Sequence, residues 1–205
     1  MLLVYNMQSY WLAGTGNDAG AYADNLATKD RDGLPFLPAK TQKGQIREAF
    51  QLAEDNDWFN EFHHEAHTSL TELLFGSESR DGKNGQGILQ FTNAELSENE
   101  KGFFLQDNEK ERKNCLFTLH NSTAIDKTGK AKAYSLRSYE VVVPMTLIGN
   151  LAVHTQHLPT GIRNTISEHL PEWLNQVLPL VTHIGAKKQR GLGEVTVNLV
   201  HSKGE

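Results

Sequence analysis

The sequence predicts an α+β fold in which helices pack on one face of an antiparallel sheet. Strand-like segments rich in aliphatic and aromatic residues are interspersed with longer helix-like segments. The order of these segments along the chain is typical of antiparallel strands with helices on one sheet face. The length of 205 residues fits one domain with a sizeable core and a long insertion.

Five segments are predicted to be strands, because each is rich in aliphatic or aromatic residues and has few charges. A long loop rich in glycine, aspartate and asparagine, residues 13–33, follows the first of them, and long loops are often functional. The predicted strands cover residues 2–12, 88–96, 115–120, 139–153 and 193–200.

Three segments are predicted to be helical: residues 41–54, 58–75 and 160–181. The third segment contains Pro171 and Pro179, and proline lacks the amide hydrogen that a helix interior needs. We therefore expect these prolines to interrupt or start helices.

Composition limits the classes of function. The formal net charge of −5 argues against binding of nucleic acid by the whole surface but leaves room for a local basic groove. Cys115 is the single cysteine, so no internal disulfide can form, which is compatible with a reducing compartment. Residues 1–5 lack the pattern of a signal peptide, and no stretch approaches the ~18 apolar residues of a membrane span. These features favour a cytoplasmic protein without a membrane partner.

A basic loop near the C-terminus, the late loop of residues 183–197, carries the strongest functional signal. It places Lys187, Lys188 and Arg190 between glycines, which let a backbone bend and approach a ligand closely. Successive backbone amides and nearby cations suit phosphate. A plain solvated turn is the alternative.

A second basic stretch, the early loop of residues 34–47, opens the first predicted helix, with Thr41 as its expected N-cap. It contains Lys40, Lys43 and Arg47, and the last two share a helix face because they are four residues apart. The helix dipole also favours anions at this end. Two basic loops that suit phosphate predict that the ligand is a nucleic-acid backbone. For the early loop, the alternative is a solvated helix start.

Four motifs in a fixed order resemble the RAMP superfamily of CRISPR-associated proteins. Within the superfamily, the sequence is most similar to the backbone subunit of type III effector complexes, the Csm and Cmr type. The resemblance covers roughly residues 10–200. The motifs are Pro-x-x-Pro at 35–38 with Lys43-Gly44 and Arg47, Leu-Phe-Gly-Ser at 74–77, residues 123–131, and the Gly- and Arg-containing loop 185–195.

The resemblance implies a ferredoxin-like, RRM-related core with loop insertions and a β-hairpin thumb. It implies a single domain over residues 1–205, with the thumb region inserted at about 97–140. In this family, copies stack along a CRISPR RNA, and each thumb inserts between bases of the guide–target duplex. The expected partners are therefore CRISPR RNA, target RNA, further copies of this chain and other type III subunits.

The resemblance also implies a catalytic residue in the loop before the Pro-x-x-Pro motif. Catalytic members cut bound target RNA with an aspartate in this loop and a divalent metal. Placing Lys29-Asp30 on the family's basic–acidic pair puts Asp24 at the catalytic position, as a ligand of Mg²⁺ or another divalent cation. Asp18 is the second choice, with Asp30 and Asp32 behind it. A carboxylate suits this role because RNA supplies its own nucleophile, the 2′-hydroxyl.

Ten basic residues are expected to contact RNA. The segment from Asp126 to Arg137 holds four cations and one acid, which fits a thumb lying along RNA, although a plain exposed hairpin is the alternative. The ten residues are Lys40, Lys43, Arg47, Lys127, Lys130, Lys132, Arg137, Lys187, Lys188 and Arg190.

Three other functions are also consistent with the sequence. A catalytically inactive subunit of the same assembly would bind RNA as a scaffold. A guide-processing endoribonuclease of the same superfamily would act without metal and use His63 or His64 as general acid or base. A generic RRM-like binding module lies outside the superfamily. His63 and His67 are four residues apart but lack a third ligand, so a structural or solvated role is predicted for them.

Overall fold

The structure of the protein is a computed structural model that describes residues 1–14, 23–59, 62, 69–77, 85–106 and 109–200. Its strands are β1 (Leu2–Met7), β2 (Gly76–Ser77), β3 (Gly85–Gln86), β4 (Leu89–Phe91), β5 (Phe117–Ser122), β6 (Arg137–Val142), β7 (Thr146–Val153) and β8 (Val195–Val200). Its helices are α1 (Ala39–Glu54), α2 (Leu70–Phe75), α3 (Glu98–Phe104), α4 (Glu109–Asn114) and α5 (Thr160–Val177).

The central sheet contains four antiparallel strands in the order β4-β7-β1-β8. Val4 of β1 is paired with Ile148 of β7 on one side and with Asn198 of β8 on the other. The core elements follow one another as β1, α1, β4, β7, α5 and β8, which is the β-α-β-β-α-β order of a ferredoxin-like fold. The predicted α+β class with a ferredoxin-like core is confirmed.

The core residues follow the strand pattern, in which every second side chain shares a face, and the helix pattern, in which side chains four residues apart share a face. Leu3 and Tyr5 of β1 are two residues apart, share a sheet face and are fully buried. Ile46 and Phe50 are four residues apart on α1 and are equally buried, and Trp173 of α5 joins them in the core. Burial of each such side chain contributes about 2 kcal/mol. The core therefore holds the sheet and both long helices in place beneath the loops.

The predicted helix 58–75 is confirmed over Leu70–Phe75, where α2 lies, but residues 58, 59, 62 and 69 are not helical, and the other residues of this range lie outside the described residues. Ser69 starts this helix, since its hydroxyl accepts a hydrogen bond from the Glu72 amide at 3.2 Å. The carboxylate of Glu54 also caps it and accepts from the Leu70 amide at 2.6 Å. Burial acts to raise the pKa of Glu54, but the hydrogen bonds it accepts outweigh burial and hold that pKa below its ordinary value.

The expectation that Pro171 interrupts the helical region 160–181 is wrong, because Pro171 lies inside α5. Its neighbours Leu170 and Trp173 are buried in the core. Their packing offsets the cost of about 3 kcal/mol that a proline imposes on a helix interior. Pro179 does start a new element, a short 3-10 turn that follows α5.

The strand predictions need two corrections. Residues 139–153 form two strands, β6 and β7, which belong to different sheets. The predicted strands 2–12 and 88–96 are longer than β1 and β4. Beyond β1 the chain leaves the central sheet because the Trp11 amide donates to the Val142 carbonyl of β6 at 3.0 Å.

An insertion between β4 and β7 contains α3, α4 and an antiparallel hairpin. The hairpin, residues 117–142, pairs β5 with β6 along their whole lengths. At its tip the Asp126 carboxylate accepts hydrogen bonds from the Thr128 hydroxyl at 2.6 Å and from the amides of Thr128 and Lys130. These bonds lower the pKa of Asp126 and fix the turn.

Candidate nucleic-acid interface

The segment that carries Asp24 runs along β6. The Asp24 amide donates to the Ser138 carbonyl at 2.8 Å, and Asp24 Oδ2 accepts from the Ser138 amide at 2.7 Å. Arg137 Nη1 lies 3.5 Å from Asp24 Oδ1. The Glu140 amide continues the pairing, donating to the Asn25 carbonyl at 3.0 Å. Asp24 is thus fixed at the root of the hairpin with its side chain 40% exposed.

Asp24 lines an open cleft of about 630 Å³ between the hairpin and the late loop, which we name the Asp24 cleft. Four cations surround one carboxylate, so the described lining residues carry a formal charge of +3 that favours an anion. Three separate stretches of sequence meet here. The lining residues are Asp24, Asn25, Ser122, Thr123, Ala124, Lys132, Ala133, Tyr134, Ser135, Arg137, Tyr139, Lys187 and Arg190.

Two glycines of the late loop lie against protein backbone. Gly185 and Gly193 have φ of 91° and 78°, and a Cβ on Gly193 would lie 2.0 Å from the Ile184 carbonyl oxygen. The Ala186 amide donates to the Leu12 carbonyl at 2.7 Å, which anchors the loop to the segment after β1. Gly191, with φ of 75°, has open space around its Cα, and close approach of this loop to phosphate stays a prediction.

The late loop contacts the hairpin through two of its cations. Lys187 Nζ lies 4.9 Å above the Tyr139 ring, a cation–π contact. Arg190 Nη1 donates to the Ser122 hydroxyl at 3.4 Å. Lys187 also has a positive φ of 61°, which is uncommon for a residue other than glycine. Both cations remain exposed enough to reach a ligand in the Asp24 cleft.

Tyr134 is a site residue that sequence reasoning missed. Its side chain is fully exposed and its φ is 59°, in the left-handed region that bulky residues avoid. The neighbouring Ser135 hydroxyl donates to the Lys132 carbonyl at 2.7 Å and lies 2.7 Å from the Thr123 hydroxyl, which holds this conformation. An exposed aromatic ring at a cationic cleft can stack on a base. No sequence pattern marks one exposed tyrosine in a polar loop.

A second cleft of about 490 Å³, the helix-start cleft, lies beside the N-terminus of α1. Lys40 and Lys43 line it together with polar and aromatic residues. Thr41 is not the N-cap, because α1 begins at Ala39 and Pro38 occupies the capping position. The full described lining is Ala39, Lys40, Lys43, Gln86, Gly87, Leu89, Gln90, Phe91 and His154.

Four of the predicted RNA contacts lie outside both clefts. Lys188 turns toward α1, where its ammonium donates to Gln45 Oε1. Arg47 lies one turn beyond Lys43 on α1 and is half-buried. Lys127 and Lys130 are exposed at the hairpin tip.

The remaining aspartate candidates divide into two groups. Asp30 has a structural role, because its carboxylate accepts hydrogen bonds from the amides of Asp32 and Leu34 at 2.9 and 2.8 Å. Asp32 is exposed in the same turn. Asp18 lies outside the described residues, as do His63, His64 and His67.

Among the described residues that line the Asp24 cleft, Asp24 is the one carboxylate that a divalent cation could take as ligand. Among the described residues, no three His, Cys, Asp or Glu side chains come close enough to hold a metal ion together. Mg²⁺ commonly takes one or two carboxylates and completes its shell with water and substrate phosphates. Asp24 fits such a ligand set, provided that nucleic acid supplies the phosphates.

No helix in the described parts of the chain has both the length and the apolar character needed to cross a bilayer.

Comparison with known proteins gives a consistent result. The sequence model of the RAMP superfamily matches residues 9–196. The fold is similar to a chain in the cryo-EM structure of type III-B Cmr-beta bound to cognate target RNA, with a TM-score of 0.64, 12% identity, and coverage of 96% of this chain and 95% of that one. It is also similar to a chain of type III-B Cmr-beta in the apo state, with a TM-score of 0.65, 12% identity, and coverage of 98% and 97%. No curated protein matches this chain in sequence.

Proposed function

Since the chain belongs to the RAMP superfamily, we propose that it is an RNA-binding backbone subunit of a type III CRISPR effector complex. In this role it holds CRISPR RNA, pairs the guide with target RNA and cleaves the target at Asp24. Copies of the chain and other type III subunits complete the assembly. The fold shared with type III-B Cmr-beta, which has been solved bound to cognate target RNA, supports this assignment.

The Asp24 cleft is the observation that carries the proposal. Lys132, Arg137, Lys187 and Arg190 surround one carboxylate on an otherwise acidic protein. Clustered cations bind the phosphate backbone by releasing counterions, whatever its sequence. The exposed Tyr134 ring adds a surface on which a base can stack.

Cleavage at this site requires little beyond positioning. The RNA 2′-hydroxyl attacks the adjacent phosphorus and Asp24 accepts its proton, while the bond from phosphorus to the 5′-oxygen of the next nucleotide breaks. The products are a 2′,3′-cyclic phosphate and a 5′-hydroxyl, whose oxygen takes its proton from solvent. Arg137, 3.5 Å from Asp24 Oδ1, is placed to pair with the phosphate that lies beside the carboxylate. A divalent cation on Asp24 would stabilise negative charge on the phosphate oxygens.

A catalytically inactive scaffold is the second candidate, and one contact favours it. Asp24 Oδ2 already accepts the Ser138 amide, so this carboxylate also fastens its segment to β6. A residue with that structural task need not react. The two candidates share RNA binding and differ only in cleavage.

The test assembles the complex around this chain and follows cleavage of a labelled RNA complementary to the guide, with and without Mg²⁺. The informative variant is Asp24→Asn, because its amide oxygen still accepts the Ser138 amide while the charge is lost. We expect a fall of about 100-fold or more in the single-turnover rate with RNA affinity retained. Asp55→Asn, the same change at the end of α1, serves as the control. RNA binding without cleavage by the unaltered protein would establish the scaffold instead.

A further inference from the structure

An ion pair between buried Glu140 and the partly exposed Lys29, whose side chain is 36% exposed, fastens the Asp24 segment to the hairpin. Glu140 of β6 has a side chain only 4% exposed, and its Oε1 lies 2.9 Å from Lys29 Nζ. Its other oxygen, Oε2, accepts the Ala27 amide at 3.2 Å. The Lys29 ammonium also lies 4.0 Å from the centre of the Phe117 ring on β5.

The position of Glu140 on β6 links this pair to the candidate catalytic residue. Ser138, two residues earlier on the same strand, holds Asp24 through both of its backbone groups. Between these anchors, Asn25 forms a parallel bridge with Tyr139. The segment is therefore held at Asp24 by Ser138 and again, downstream, by the two carboxylate oxygens of Glu140.

Burying a carboxylate is costly, and an ion pair in such a place seldom adds more stability than apolar residues of the same size would. Here the ion pair fixes the position of the Asp24 segment along β6. Glu140 bonds one amide and one side chain of the same segment, which restricts how that segment can slide or rotate along β6. An apolar side chain could pack there but could not define this register.

We propose that Glu140, through Lys29 and the Ala27 amide, is a positioning residue for Asp24. The inference rests on the proposed cleavage function and extends it to the support of the catalytic group. Glu140 does not touch the substrate. It keeps the Asp24 carboxylate in the orientation in which it can meet the reacting 2′-hydroxyl.

The experiment compares Glu140→Gln and Lys29→Gln in the assembled complex. A displacement of about 1 Å in a reacting group costs on the order of 100-fold in rate, so we expect the single-turnover cleavage rate to fall by that order. RNA affinity should change less than about twofold, because neither side chain lines the Asp24 cleft. In an Asp24→Asn background, adding Glu140→Gln should lower the rate no further, which distinguishes positioning from general destabilisation. Glu95→Gln is the control, since it removes an acid 2.7 Å from Lys101 at α3, away from the cleft.

Amide hydrogen exchange gives a readout that does not depend on cleavage. In Glu140→Gln, the amides of residues 24–29 should lose protection while those of the core strands β1 and β8 keep it. An unchanged cleavage rate in both variants, with an active unaltered protein, would overturn the inference. If the unaltered protein does not cleave RNA at all, the proposed nuclease function fails. In that case, unchanged protection of residues 24–29 would overturn the positioning role as well, and lost protection would retain it as an anchor of the segment.

Discussion

The described residues form two clefts lined by cations, of which one also holds a carboxylate. The Asp24 cleft of about 630 Å³ places four cations around a carboxylate. The helix-start cleft of about 490 Å³ has Lys40 and Lys43, and none of its described lining residues is acidic. Both suit phosphate, but only the first has a carboxylate among its described lining residues, whereas the second has the imidazole of His154, whose Nε2 lies 2.7 Å from Gln90 Oε1. The cations of both clefts thus indicate where RNA can bind, and the Asp24 carboxylate is the group proposed to make one cleft cleave RNA as well.

The two clefts also differ in backbone conformation. The helix-start cleft is built largely on regular elements, the start of α1 with β4 and the end of β7. The Asp24 cleft includes Tyr134 and Lys187, both with positive φ. Such conformations cost on the order of 1–3 kcal/mol each and collect at functional sites. Of the three described non-glycine residues with positive φ, two therefore lie in the cleft where the chemistry is proposed, and the third is Asp57.

Removing two cations of the Asp24 cleft should have the largest effect on binding. In Lys187→Gln with Arg190→Gln, we expect RNA affinity to fall on the order of 30-fold at low salt, because two phosphate contacts are lost. The slope of log affinity against log salt should decrease by about 2. Arg31→Gln removes an exposed cation that lines neither cleft and is the control. Titrations at several salt concentrations measure both quantities, and an unchanged slope would remove the late loop from the interface.

Truncating the exposed ring of Tyr134 should have a smaller effect. Tyr134→Ala should weaken RNA binding by about tenfold, since stacking contributes about 1–3 kcal/mol per base. Tyr134→Phe keeps the ring and should bind like the unaltered protein. Equal losses in both variants would show that the hydroxyl, and not stacking, makes the contact. Fluorescence anisotropy with labelled RNA provides the measurement.

The helix-start cleft should contribute affinity only. Lys43→Gln should weaken RNA binding by about fivefold and lower the salt slope by about 1. The single-turnover cleavage rate at saturating RNA should not change, because Lys43 lies outside the Asp24 cleft. A slower rate at saturation would show that both clefts take part in catalysis.

The smallest expected effect concerns the core that supports both clefts. Glu54→Gln should lower the free energy of unfolding by about 1 kcal/mol at pH 7, because the carboxylate caps α2. The folded-state pKa of Glu54 lies below its ordinary value of 4.5, so this stabilisation is present above that pH and is lost as the pH falls through the folded-state value. The two proteins should therefore converge in stability under acid conditions. Urea unfolding from pH 7 to 3 tests this, with Glu48→Gln, an exposed acid on α1, as the control.

The sequence predicts the core better than the site. Apolar residues at strand or helix spacing identify β1, β8 and the long helices, because the buried face of an element is visible in that element's own sequence. Pro171 inside α5 could not be foreseen, since tertiary packing around it overrides helix propensity. The late loop was identified from its glycines and cations, and the resemblance to a family singled out Asp24. Their meeting at the hairpin depends on backbone pairing between distant segments, such as Asp24 with Ser138, which no local pattern encodes. Tyr134 was missed because its exposure and positive φ depend on hydrogen bonds within the folded hairpin, such as that from the Ser135 hydroxyl to the Lys132 carbonyl.

RNA affinity and single-turnover cleavage, measured side by side for Asp24→Asn and Lys43→Gln in the assembled complex, test most directly whether one cleft cuts and the other holds. We expect Asp24→Asn to lose cleavage by about 100-fold or more and to keep affinity, and Lys43→Gln to lose affinity and to keep the rate at saturation. Cleavage that persists in Asp24→Asn, or a rate at saturation that falls in Lys43→Gln, would contradict the division of the two clefts into one that cuts and one that holds.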